Sequence, residues 1–139
     1  MNANATMPIE YQYQTGLPNT QQENLFEAEG ILLGAVFLAP ELIHEITLEP
    51  CHFSQQRNLL LFQAMKELQN ENKPIDIILM AEKLTGNSED VGISYMNNII
   101  TRCPKADNYE HYQTIILNEY KLRMLKRAGF QFLNEPTLE

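Results

Sequence analysis

Three histidines, two cysteines and eighteen acidic residues carry most of the chemistry available to this 139-residue chain, and their spacing decides what they can do. His44-Glu45 begins like a zinc-protease helix, but that pattern needs a second histidine four residues on, and the position holds Leu48. Cys51, His52, Cys103 and His111 are metal-ligating types. Structural zinc sites, however, separate paired ligands by about two to four residues. Cys51 and His52 are adjacent, and neither Cys103 nor His111 has a paired neighbour, so the spacing predicts buried thiols and surface histidines rather than a metal site. Glu27 and Glu29 lie two apart, which on a helix aims them differently and makes a poor acid/base couple. Glu27 also falls three residues after Asn24, the relation of a capping box, and capping is the role expected of it. A phosphate-cradling loop needs closely spaced glycines followed by Lys and Ser or Thr. Gly30 and Gly34 instead sit inside a helical pattern with no Lys after them. No Ser/His/Asp or Cys/His arrangement can be argued from spacing. The expectation is a chain with no catalytic, cofactor or metal site of its own.

These residues belong to a pattern that is helical throughout. The first 23 residues are rich in Asn, Gln, Thr and Pro, carry Tyr11 and Tyr13 without periodicity, and are expected to form a flexible arm. Order is expected from Asn24, whose side chain can cap a first helix with Leu25, Ala28, Leu32, Ala35 and Val36 at helical steps. Gly30 and Gly34 cost such a helix about 1 kcal/mol each relative to alanine. Their four-residue spacing puts them on one face, where a neighbouring backbone can come close. Pro40 suits the first turn of a short second helix carrying Leu42, Ile43 and Ile46. Ser54 is placed to cap a third, ending near Asn70, with Leu61, Phe62, Met65 and Leu68 as its buried stripe. Asp76 caps a fourth over Ile77–Leu84, with Gly86 just beyond it and a polar loop over 87–90. A fifth, about Gly92 to Arg102, shows Ile93, Met96 and Ile100 at helical spacing, and Pro104 blocks its continuation. Asp107 and Glu110 then open the longest helix. No segment shows the alternation of a strand. The fold expected is all-α, a compact bundle of about six helices, with a domain over 24–118 and the last helix extending over 119–139 as the start of a linker.

With 44% hydrophobic residues the chain is globular in composition. Its formal charge of −8 opposes contact with phosphate backbones, so direct nucleic-acid binding is not expected. Lys121, Arg123, Lys126 and Arg127 form a local exception, which suits the negative end of a helix. No stretch approaches the roughly 18 apolar residues of a membrane span. The N-terminal sequence has neither the basic start nor the apolar run of a signal peptide. A cytoplasmic protein with reduced thiols is expected.

The long helix stands apart from the others. Tyr109, Tyr112, Ile116 and Tyr120 line one stripe, continued by Leu125, Ala128 and Phe132, while Leu122, Met124 and Phe130 put apolar groups on other faces. The preceding helices cannot cover all of that surface, and uncovered apolar surface marks a contact with another chain or domain. Tyr109, Tyr112, Tyr120, Met124, Phe130 and Phe132 are therefore the residues expected to meet a partner, because aromatic and Met side chains dominate such contacts. For the three tyrosines, plain core packing is the competing expectation.

Several ordered patterns resemble the N-terminal domain of DnaB-type replicative DNA helicases. They begin with Leu17-Pro18 and Glu27-Ala28-Glu29-x-x-Leu32-x-Gly34-Ala35. His52-Phe53 leading to Leu61-Phe62-x-x-Met65-x-x-Leu68 follows. The most specific block is Pro74-Ile75-Asp76-x-Ile78-x-x-Ala81-Glu82-x-Leu84. Val91-Gly92-x-x-Tyr95-Met96 and Pro104-x-Ala106-x-Asn108-x-x-x-Tyr112 complete the set, over about Leu17 to Arg127. The chain departs from the family at Gly92-Ile93, where a second glycine is usual, at Gln56-Arg57-Asn58, and in its long N-terminal arm. The resemblance implies a non-catalytic assembly and docking domain. Such a domain self-associates, as a dimer or a hexameric collar, and helps recruit the primase C-terminal domain or a helicase loader. The ATPase and helicase activity of such proteins lie in a separate C-terminal domain, reached through a linker helix that would start at Lys121 to Phe132. Two alternatives have their own motives. The extra arm and short length suggest a stand-alone relative, phage- or element-encoded, that modulates a host helicase. The acidic charge is also compatible with a helical regulator unrelated to replication.

Overall fold

The computed structural model describes residues 19–87 and 90–134, with side chains over 24–87 and 90–129. Among these residues the order is α1 (Asn19–Leu38), a 3-10 turn (Pro40–His44), a second 3-10 turn (Pro50–His52), α2 (Gln56–Asn70), α3 (Ile77–Lys83), α4 (Ile93–Arg102) and α5 (Tyr109–Asn134). The all-α expectation holds. The count differs in one element: the short second helix is a 3-10 turn, five residues that end at His44. Residues 1–18 of the expected arm lie outside the described residues, as do Ser88 and Glu89. The arm's last five residues belong to α1, since Gln21, Gln22 and Glu23 are good helix formers. Asn24 is thus inside a helix and caps nothing.

α1 is the central element and packs chiefly against α4 and α5. Leu25, Ala28, Leu32, Leu33, Ala35 and Val36 are all buried, so apolar groups cover more than one side of this helix, as a helix enclosed by neighbours requires. The close approach expected at its glycines is real at one of them. A Cβ on Gly34 would lie 2.6 Å from the Ile99 carbonyl oxygen and 2.9 Å from Cys103 Cβ, whereas one on Gly30 would meet only Ile99 Cγ2 at 3.6 Å. Gly34 therefore sets the α1–α4 separation.

α2 buries Leu61, Phe62, Met65 and Leu68 as expected, and Asn58 besides. Phe53 closes one end of this layer against Phe62, ring centroids 5.0 Å apart. Asp76 caps α3 as the sequence predicts, its Oδ1 accepting from the Leu79 N–H at 2.8 Å. Gly86, with φ of 92°, supplies the left-handed residue after it. α4 turns Met96 and Ile99 inward, Cys103 just past its end is buried as well, and Ile93 is exposed. α5 is 26 residues long, about 39 Å. Its first half carries Ile116 into the core, with Tyr109, Tyr112, Ile115 and Leu117 packed partly buried around it.

Candidate interaction surface

The second half of α5 leaves the core. Leu122 is exposed, and Leu125, expected on the continuing apolar stripe, is 70% exposed. Tyr109 and Tyr112 pack against the core, which is the competing expectation for them. Tyr120 and Met124 are half-buried further along. Tyr120 meets the His52 ring edge-on, centroids 4.5 Å apart, so the second 3-10 turn is braced against the helix. Phe130 and Phe132 lie on α5 by their backbone, but their side chains lie outside the described residues. The basic cluster sits mid-helix, because α5 continues to Asn134 and carries no basic residue in its last turn. Its charges therefore do not cap the helix dipole, and at least one is used in packing. Arg123 Nη2 donates to the His52 carbonyl oxygen at 3.2 Å.

Several contacts fix the His52 ring in place. Its Nδ1 accepts from the Glu49 N–H at 2.9 Å, which fixes the tautomer with hydrogen on Nε2. Partial burial lowers its pKa; Glu49 opposes that shift and the nearby Arg123 reinforces it. His44, expected to be solvated, is exposed and hydrogen-bonds with Gln69 through Nδ1 at 2.8 Å.

A buried polar network joins α1, the start of α2 and α4. The Glu29 carboxylate, fully enclosed on α1, accepts from the Ser54 N–H at 2.7 Å, the Ser54 hydroxyl at 2.6 Å and Asn58 Nδ2 at 2.9 Å. Asn58 Oδ1 in turn accepts from the Tyr95 hydroxyl, and the Arg57 guanidinium lies over the Tyr95 ring, 4.0 Å from its centroid. Burial pushes the Glu29 carboxyl above its ordinary range, with the hydrogen bonds from Ser54, Asn58 and Gln55 pulling the other way. Burial likewise raises the Tyr95 phenol. The expected helix cap at Ser54 is corrected here: α2 starts after Gln55, and Ser54 gives its N–H and hydroxyl to Glu29 instead. Glu29 thereby acts as an acceptor at the N-terminus of α2, where a negative charge is favoured. Nothing local marks that role, since the partners lie 25 and 29 residues away.

Glu27, expected to cap, is paired with Arg102 across the α1–α4 junction. This pair stands at the edge of a surface cavity of about 420 Å³ whose walls include Phe26, Ile31, Arg57, Tyr95 and Asp90. Of the thiols, Cys103 is buried, with its pKa raised by that burial, and Cys51 is exposed rather than buried, on the second 3-10 turn. No group of three or more His, Cys, Asp or Glu side chains is placed to hold a metal ion among the described residues. No described helix is long and apolar enough to cross a membrane.

A sequence model of the DnaB-like helicase N terminal domain matches residues 21–118. The chain is 34% identical over 109 residues to the replicative DNA helicase DnaC of Bacillus subtilis, a match covering 74% of this chain and 24% of that one. It is 31% identical over 108 residues to the replicative DNA helicase DnaB of Geobacillus stearothermophilus, with the same coverage of 74% and 24%. The chain thus spans about a quarter of the length of these relatives. Among solved structures, the N-terminal domain of DnaB helicase from Helicobacter pylori, described with its interactions with primase, superposes with a TM-score of 0.77. Sequence identity is 25%, and the match covers 86% of this chain and 98% of that one. The corresponding domain from Mycobacterium tuberculosis shares the fold, with a TM-score of 0.75 at 24% identity, over 81% and 82% of the two chains.

Proposed function

The chain belongs to the DnaB-like helicase N-terminal domain family, and from that membership we propose that it is a non-catalytic assembly and protein-docking domain in DNA replication. It self-associates, as a dimer or as part of a hexameric collar, and takes a primase C-terminal domain or a helicase loader as partner. The observation that carries this reading is the half-emerged α5. A helix whose first half completes the core leaves Leu122 and Leu125 open to solvent in its second half. Apolar side chains presented in this way lower their free energy by meeting another chain. Tyr120, Met124, Phe130 and Phe132 continue along that helix and are the proposed contact residues, with Tyr109 and Tyr112 supporting them from the core. The net charge of −8 favours protein over nucleic acid as the partner. Where the family's helicase chains continue beyond this domain, the ATP-dependent unwinding belongs to the remainder and not to residues 24–118.

Size-exclusion chromatography with light scattering, with and without the matching primase C-terminal domain, tests the proposal. A self-associated species that shifts to a larger complex is expected. A strict monomer that ignores both primase and a helicase ring would overturn it.

A further inference from the structure

A cavity of about 290 Å³ lies where the second 3-10 turn meets α5. Cys51, Phe53 and Ser54 form one side of it, and on the other stand Tyr120, Arg123, Met124 and Arg127 of α5. These four positions fall at i, i+3, i+4 and i+7, so a single face of α5 presents them together. Arg123 is fixed there by the His52 carbonyl, with its guanidinium 5.7 Å from the Tyr120 ring centroid. Its Nη1 is enclosed and has no hydrogen-bond partner among the described residues. No ion pair joins Arg123 or Arg127 to an acidic side chain among those residues. The surrounding acids do not answer the two charges. Glu29 is committed to Ser54 and Asn58, Glu49 lies toward Lys66, and Glu119 does not line the cavity.

A chain of net charge −8 thus concentrates two guanidinium groups beside the Tyr120 ring and the Met124 side chain at this one place. The Phe53, Tyr120 and Met124 side chains in the wall shield part of the site from water and strengthen a charge pair formed beside them. A guanidinium presents parallel N–H groups that match the two oxygens of a carboxylate. A nucleic-acid strand would bring many phosphates against a molecule that is negative elsewhere, whereas one carboxylate beside an apolar side chain meets only the local field. We propose that this cavity is a docking pocket for an Asp or Glu side chain, flanked by an apolar residue, on a partner protein. The proposal rests on the docking function above and supplies the chemistry of that docking.

Cys51 is a built-in reporter, because it is exposed in the cavity wall while Cys103 is buried. Labelling rates of the whole chain are compared for a dithiobis-nitrobenzoate reagent, which carries aromatic carboxylates, and for neutral methyl methanethiosulfonate. The ratio of anionic to neutral rate is expected to fall by roughly tenfold in Arg127→Gln and to fall with added salt, with Arg127→Lys retaining most of it. An unchanged ratio in Arg127→Gln overturns the pocket. In a second arm the primase C-terminal domain is added at saturation. Protection of Cys51, lost together with binding in Arg127→Glu, supports the proposal. Binding that leaves both Cys51 and the Arg127→Glu affinity unaffected overturns the pocket and leaves the docking function standing. Failure of any partner to bind overturns the docking function, and the reagent ratio alone then decides the pocket. Protection by a single-stranded oligonucleotide in place of protein also overturns it.

Discussion

Removing the Glu29 side chain is expected to be among the costliest single changes in this domain, although the residue touches no proposed partner. Glu29→Ala leaves the Ser54 N–H and Asn58 Nδ2 without their acceptor in the interior. Each fixed donor left unpaired costs about 1–3 kcal/mol. The Ser54 hydroxyl can rotate and contributes less. Relief of the buried carboxylate's desolvation, the cause of its raised pKa, offsets part of the loss. The net expectation is about 3 kcal/mol, a large share of the roughly 5–15 kcal/mol that holds a domain folded. At about 4 °C per kcal/mol for a domain of this size, the midpoint should fall by about 12 °C. Glu29→Gln separates the hydrogen bonds from the charge. Its amide oxygen can serve Ser54 while its NH2 faces Asn58, which flips to present Oδ1. Tyr95 then accepts from Asn58 Nδ2 instead of donating to Oδ1, so the network closes again. That variant should lose no more than about 1 kcal/mol. The sign of the pH effect follows from the raised pKa. The folded state holds the Glu29 proton more tightly than the unfolded chain, so this contribution is complete below 4.5 and is lost as pH rises through the elevated folded value. The wild type minus Glu29→Gln stability difference should therefore decline as pH rises from 4.5 toward neutrality. Urea denaturation of the three proteins across that range is the assay. A loss under about 1 kcal/mol in Glu29→Ala, or equal losses in the two variants, would refute the reasoning.

Other sites make separate predictions. Gly34→Ala must push α1 from the Ile99 backbone and should cost about 1–2 kcal/mol net of its better helix propensity, while Gly30→Ala should be neutral or stabilising by up to about 1 kcal/mol; thermal melts compare them. His52 carries the opposite pH sign from Glu29. Its lowered pKa means that the unfolded chain takes up the proton first, so the stability it contributes is complete above 6.5 and is lost as pH falls toward the depressed folded value. Melts between neutral and mildly acidic pH should show His52→Gln losing less stability than the wild type over that window, and equal slopes would contradict the assignment. Leu125→Ser should change monomer stability by less than about 0.5 kcal/mol, since the side chain is 70% exposed, yet weaken self-association measured by light scattering; unaltered association would remove Leu125 from the proposed contact.

The features legible in the sequence are those whose causes are local. Asp76 caps because a short side-chain oxygen stands three residues before an N–H that needs it, and Gly86 follows because the chain must pass through a left-handed residue. The glycine pair on α1 announces a close approach, but it takes the neighbouring helix to show that Gly34 alone requires it. What escapes are pairings across sequence distance. Glu27 and Asn24 satisfy a capping pattern that α1 overrides by beginning five residues earlier, and the capping glutamate pairs with an arginine 75 residues away instead. Ser54 satisfies a cap pattern too, yet a buried carboxylate 25 residues away claims both of its donors. In each case a local rule met a charged competitor that tertiary packing brings into contact: a buried carboxylate for Ser54, and a solvent-exposed guanidinium for Glu27. The same logic explains the partner residues. Helical period placed Tyr109 through Leu125 on one stripe, but only the bundle's height decides where that stripe stops being core. Beyond Leu117 it turns outward, leaving Leu122 and Leu125 exposed while Tyr120 still rests on His52.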